Sequence, residues 1–118
     1  MEKKELKIKD IRIYRDDEEL ISTKNNAKWL SISKNLIYLS WQEGRIYFFP
    51  KDINKEGEKG IKNFVFDDGS QSMDFNWIGT WEDESDGNFR MYDVNYAFKI
   101  VFNKSKDFDN VKEIINSF

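Results

Sequence analysis

Residues 29–49 read WLSISKNLIYLSWQEGRIYFF, and the alternation inside this stretch decides the fold class. Apolar side chains recur at every second position, the period of a strand with one covered face. Two turn-forming pairs, Lys34-Asn35 and Glu43-Gly44, divide the stretch into three short strands. Read as two-residue hairpin loops with Asn35 and Gly44 at positive φ, they set a register by counting. Ile32 then faces Ile37, Leu30 faces Leu39, Leu39 faces Phe48, and Trp41 faces Ile46, all on one side. The opposite side collects Trp29, Ser31, Ser33, Tyr38, Ser40, Tyr47 and Phe49. A slip of one residue would mix the two sets, so the pattern specifies a meander and its facing.

The chain on either side extends the same logic. Residues 6–14, LKIKDIRIY, form a first strand whose apolar phase changes at Lys9-Asp10, which predicts either a β-bulge or a strand that starts only at Asp10. An acidic turn follows at 15–19, RDDEE, and Leu20-Ile21 either continues a strand or packs a loop end. Pro50 ends the meander because it cannot donate to a ladder. Residues 51–60, KDINKEGEKG, have two glycines, no periodicity and many charges, and read as a loop.

A second meander begins at 61–66. A turn at Gly69-Ser70 sets Phe66 opposite Met73 and Phe64 opposite Phe75. Counting out from Asp86-Gly87 pairs Trp81 with Tyr92, Gly79 with Val94, Trp77 with Tyr96, Phe75 with Phe98, and Met73 with Ile100. The last strand, 89–102, is long enough to predict a bend or bulge, and Gly79 suggests a close approach of two sheets. In the tail, 107–118, Phe108, Val111, Ile114, Ile115 and Phe118 repeat at helical spacing, with Asp107 as the expected N-cap. The fold class is therefore mainly β with one C-terminal helix. About seven antiparallel strands in two meanders form a partly open barrel or sandwich, in a single domain spanning 1–118.

Composition removes whole classes of chemistry. The chain has 0 Cys and 0 His, so it lacks thiolate nucleophiles, Cys/His zinc sites and the histidine base of catalytic triads. Catalysis would rest on carboxylates, Lys or Tyr, and the expectation is a protein that is not an enzyme and needs no cofactor. The net charge of −3, with Lys interleaved among Asp and Glu, argues against nucleic acid as a partner. The first residues, MEKKELKIKD, are charged throughout, and no apolar run approaches the roughly 20 residues of a membrane span. A cytoplasmic location follows as the expectation.

Three clusters stand out as candidate sites. Glu82, Glu84, Asp86 and Asp93 loosely follow a calcium-loop spacing around Gly87, although an Asp-Gly hairpin tip explains the same residues. Asp16, Asp17, Glu18 and Glu19 form either a docking patch for a basic partner or a solvated turn. Trp29, Tyr38, Tyr47 and Phe49, set among Ser31, Ser33 and Ser40, have the makings of a recognition surface, because Tyr and Trp combine large contact area with a polar handle. The alternative is that another strand, the 51–60 loop or a second subunit covers them. Trp41, Phe48, Phe75, Trp77, Tyr96 and Phe98 are assigned to the core.

Strand, meander, loop, meander and C-terminal helix together resemble the pleckstrin-homology-like superfold. The stretch 27–41, AKWLSISKNLIYLSW, is similar to the second and third strands of that group. The resemblance implies two nearly orthogonal sheets closed by the helix. It does not carry over phosphoinositide binding, since the loop RDDEELISTKNN is acidic in its first half, with Lys24 and Lys28 the only cations between Asp16 and Ser33. Gly79-Thr80-Trp81 resembles the Gly-x-Trp signature of the lipocalins, whose up-and-down barrel is the alternative architecture. The functional expectation is a non-enzymatic protein-binding module, such as a small bacterial or phage inhibitor or adaptor, with a protein partner or a homodimer. A small-molecule or lipid binder using a barrel cavity is the second option, and a carboxylate-dependent hydrolase the third.

Overall fold

A twelve-residue strand, β1 (Lys4–Arg15), joins two halves that would otherwise be separate sheets. In the computed structural model, which describes residues 4–22, 28–42, 44–84 and 87–118, its first residues pair with β3 (Lys28–Ile32) from Lys4↔Ile32 to Lys7↔Trp29. Its remainder pairs with β8 (Arg90–Phe102) from Ile8↔Phe102 to Arg15↔Tyr96. β4 (Ile37–Trp41), β5 (Gly44–Phe48), β6 (Gly60–Asp67) and β7 (Ser72–Asp83) complete the order β5-β4-β3-β1-β8-β7-β6. All pairs along it are antiparallel. Among the described residues β2 (Glu18–Ser22) pairs with β1 and stands off this path, so Leu20-Ile21 belongs to a strand and the described strands number eight. The result is one sheet curled into a half-barrel, with helix α1 (Ser105–Asn116) at its C-terminal end.

The bulge expected at Lys9-Asp10 lies on β1, where Ile8 pairs with Phe102 and Asp10 with Val101. It moves the inward positions from Leu6 and Ile8 to Ile11 and Ile13, which lets one strand serve both meanders. Lys28 is buried and donates from Nζ to the Lys9 carbonyl at 2.8 Å, while Asp10 meets Arg12 Nε at 2.8 Å. That carboxylate raises the Arg12 pKa above its ordinary value. The β7–β8 register follows the expected pairs from Met73↔Ile100 to Trp81↔Tyr92 without interruption, so no bulge breaks the last strand's pairing with β7. The irregularity sits on its partner β1 instead.

The first meander keeps its expected facing but not every pair. Ile32↔Ile37 and Leu30↔Leu39 hold, whereas β5 is displaced by two residues: Leu39 faces Ile46, Ile37 faces Phe48, and Trp41 faces Gly44. The left-handed backbone positions among the described residues are Asp16, Asp17, Asn54, Asn63, Gln71, Gly57, Gly60 and Gly87, so Asn35 and Gly44 do not take the positive φ expected of them. At Asn35 the turn is closed instead by Ser33, whose hydroxyl accepts the Leu36 N–H at 3.2 Å while its own N–H reaches the Leu36 carbonyl at 2.9 Å. Gly44 is small for another reason: a Cβ there would sit 3.0 Å from the Trp41 indole. Positive φ occurs in the first hairpin, where Asp16 and Asp17 between Arg15 and Glu18 both adopt it, as a two-residue primed turn requires.

In the second meander Phe66 faces Met73, and a bulge at Asn63 (φ 63) interrupts the ladder before Phe64, whose ring still stacks on Phe75 at 5.0 Å. The loop after Asp67 is held by that side chain, which accepts the N–H groups of Gly69 at 2.9 Å and Ser70 at 3.3 Å. The Ser70 hydroxyl, then the Ser70 and Gly69 amides, hold the Asp67 carboxyl below its usual range. Gly79 does not mark a contact of two sheets. Its missing Cβ would lie 2.5 Å from the indole of Trp77, two residues earlier in the same strand.

The core is one cluster drawn from β1, β3–β8 and α1. Phe48, Phe75 and Phe98 are buried in it, while Trp41, Trp77 and Tyr96 are partly exposed and packed on its margin. Phe108, Val111 and Ile115 form the buried stripe of α1. The helix begins two residues before Asp107, which lies in its first turn and not at the N-cap, and Phe118 falls outside the stripe.

Two measurements check this arrangement. Gly79→Val should cost about 1–3 kcal/mol by overpacking against Trp77, and in a Trp77→Ala background most of that cost should vanish in a thermal or urea double-mutant cycle. An NMR titration should find Asp67 below the ordinary 3.8 of an Asp carboxyl. Its contribution to stability is then present above the unfolded-chain pKa and lost as pH falls through the folded one. Asp67→Asn should remove that portion of the acid sensitivity.

Candidate functional site

On the outer side of β1, β3, β4 and β5 the registers align two cross-strand rows. One runs Lys7–Trp29–Ser40–Arg45 and the other Glu5–Ser31–Tyr38–Tyr47. Three of the four aromatics singled out from sequence therefore share this face, because their parity is opposite to that of the core-facing leucines and isoleucines. Phe49 follows directly after β5, at the margin of the face, with Lys51 Nζ 5.7 Å from its ring centre. The rings of Tyr38 and Tyr47 lie 4.8 Å apart.

β1 does not cover this face; it widens it as a fourth strand. Trp29 is 43% exposed, Tyr47 48% and Phe49 49%, high values for side chains of this size. Ser31 is buried, and with Glu5, Trp29, Tyr38 and Ser40 it lines an open groove of about 250 Å³. Small serines between large rings create that depression. Among the described residues the cations at the face are Lys7, Arg45 and Lys51, set against Glu5, so its local charge is opposite in sign to the chain's net −3.

The acidic cluster lies elsewhere. Asp16, Asp17, Glu18 and Glu19 are exposed at the far end of β1, in its hairpin with β2. Asp16 and Asp17 line a polar groove of about 200 Å³ with Tyr14, Asn76, Asn95 and Ala97, above a side-chain bond from Asn76 to Asn95 of 2.9 Å. Of the calcium-loop residues, Glu82, Glu84 and Asp93 are exposed and Asp86 lies outside the described residues. Asp93 is 3.7 Å from Lys59. Among the described residues no three side chains of the metal-binding types gather.

Inside the curl, Ile37, Phe48, Ile61, Phe64, Met73, Phe75 and Ile115 enclose a void of about 10 Å³. That is about the space of a single water molecule. Among the described residues no helix is long and apolar enough to cross a membrane.

A second exposed apolar region has no counterpart among the sequence-derived candidates. β7 and β8 continue past their neighbours, since β6 ends its pairing at Gly60↔Ile78 and β1 at Arg15↔Tyr96, while β7–β8 pairing runs on to Asp83↔Arg90. On this two-stranded arm Met91 is 60% exposed, and Phe89 and Tyr92 are exposed with it. Counting from Asp86-Gly87 set Tyr92 opposite Trp81 near the start of the last strand. Comparing the lengths of adjacent strands would have shown that its first third had no sheet beside it. Comparison with protein families, curated proteins and solved structures returns no match for this chain.

Adjacent residues of β5 test the facing. Phe48→Ala should cost about 3–5 kcal/mol as a core truncation, whereas Tyr47→Ala should stay within about 1 kcal/mol. Similar urea midpoints for the two variants would reject the assignment of faces.

Proposed function

We propose that this chain is a non-enzymatic protein-binding module that docks its partner on the outer face of β1, β3, β4 and β5. The observation that carries the reading is the exposure of Trp29, Tyr47 and Phe49 around a serine-floored groove. Large rings held on a rigid sheet have few rotamers to lose on binding, and truncation of such anchors accounts for much of the affinity in protein interfaces. The cations Lys7, Arg45 and Lys51 at the same face suit a partner surface with acidic groups. An inhibitor or adaptor is the role that fits a domain whose contact surface lies on one sheet face.

The two other readings find less support. A ligand held within the curl needs several hundred cubic ångströms, against the void of about 10 Å³ at the core. A carboxylate hydrolase needs two acids opposed across a bond, whereas the aspartates of the polar groove are consecutive residues of one exposed turn.

A lysate pull-down with the wild-type chain and the Tyr38→Ala, Tyr47→Ala double variant tests the reading. The variant should keep its melting temperature within a few degrees and lose the captured protein. Equal capture by both chains would reject this face as the contact surface.

A further inference from the structure

The arm and the aromatic face are complementary in three respects, and we infer that a second copy of this chain brings them together. This inference rests on the reading of the outer sheet face as a protein-docking surface and names its occupant. The first respect is apolar surface: the arm exposes Met91 on one side of β8 and Tyr92 on the other, with Phe89 just before the strand, and the face exposes Trp29, Tyr47 and Phe49. A two-stranded ribbon is marginal in water without a third neighbour, so an arm carrying this much apolar surface gains stability from a surface to lie on.

Charge is the second. Among the described residues the arm exposes Glu82, Glu84 and Asp93 together with Arg90. The hairpin bearing Asp16, Asp17, Glu18 and Glu19 stands at the same end of the molecule, because Arg15 pairs with Tyr96 where the arm begins. Lys59 offsets part of this charge through Asp93. The outer face carries Lys7 and Arg45 against Glu5, with Lys51 over the Phe49 ring at its margin. The arm's end is thus acidic and the outer face basic, each beside exposed rings.

Distance is the third. Seven residue steps separate Ile8 from Arg15 along β1, and six more separate Tyr96 from Arg90 along β8. At about 3.3 Å per step the end of the arm lies roughly 40 Å along the strands from Ile8, which is next to Lys7 of the face, and roughly 26 Å from Phe98, whose ring meets Phe48 between Tyr47 and Phe49. The molecule's longest extent is 49 Å. An arm built into the same rigid sheet cannot fold back onto its own chain's face, so the contact is between chains. Two chains lying side by side in opposite directions satisfy both contacts at once, which closes the assembly at a dimer and avoids an open head-to-tail fibre.

The absence of cysteine makes the contact directly testable. Met91→Cys places a thiol on the arm and Phe49→Cys one beside the face, both at exposed positions. Mixed and mildly oxidised, the two variants should give a disulfide-linked species of two chains, and neither variant alone should give it to the same extent. Sedimentation of the wild-type chain from about 1 to about 200 µM should pass from one chain toward two, a range that brackets weak association. Arg45→Glu should raise the dissociation constant about tenfold or more. Salt of about 0.5 M, where the Debye length is about 4 Å, should act in the same direction. A mass of one chain throughout, or equal linking in the single variants, overturns the inference. If the chain stays monomeric while Tyr38→Ala, Tyr47→Ala still abolishes lysate capture, the dimer falls and the docking face stands. If the arm-to-face link forms and capture is unchanged by that variant, the face holds only a second copy.

Discussion

Phe48 meets Phe98 edge-on at 4.9 Å and Phe75 at 5.3 Å, while those two rings stack on each other at 5.0 Å. This contact joins the terminal strand β5 to β7 and β8, which lie beyond β1 in the strand order. An edge strand has one hydrogen-bonded neighbour, so its inward side chain must find cover across the curl and not along the sheet. Ring pairs of this geometry add about 0.5–1.5 kcal/mol each beyond the area they bury. The curl follows from them: a flat sheet of the same strand order would leave Phe48 in water. Phe64 extends the stack, and Ile61 and Ile115 close around it, enclosing with Phe48 and Phe75 a void of about one water molecule.

The other requirement is a strand that belongs to both halves. β1 meets it with the bulge at Lys9, which shifts the apolar phase at the point where its partner changes from β3 to β8. At the bulge the buried Lys28 ammonium donates to the Lys9 carbonyl, so the seam carries its own polar closure. Gly44 and Gly79 solve a related packing problem. Each leaves room for a tryptophan indole from a nearby position, Trp41 across the hairpin and Trp77 along the strand, which lets large rings lie flat at the margin of a small core.

Once every inward position is occupied, the remaining rings have no internal place to go. Trp29, Tyr38, Tyr47 and Phe49 gather on the outer face of one half, and Phe89, Met91 and Tyr92 on an arm that outruns its neighbours. Mean burial therefore conceals the distribution that matters: apart from Phe118 at the end of α1, the exposed rings gather on the outer face and on the arm, beside charges of opposite sign. Strand length sets that separation, since β7 and β8 run for 12 and 13 residues while their neighbour β6 has 8.

Alternation and turn chemistry determined much of this from sequence alone. Parity separated Leu30, Leu39 and Phe48 from Trp29, Tyr38 and Tyr47, and the phase change at Lys9-Asp10 located the bulge. Asp86-Gly87 set the β7–β8 register to the residue, because a period of two allows no intermediate facing. Helical spacing located α1, and the absence of Cys and His bounded the chemistry. Tertiary structure decided the rest. β5 slipped by two residues from the counted register with its facing unchanged, a choice parity cannot see, and the indole of Trp41 lies over Gly44 as a result. The curl depends on rings from strands far apart in sequence. The exposure of the outer face and of the arm depends on where neighbouring strands stop. A strand's own residues specify which way its side chains point, but only the neighbouring strands decide whether anything covers them.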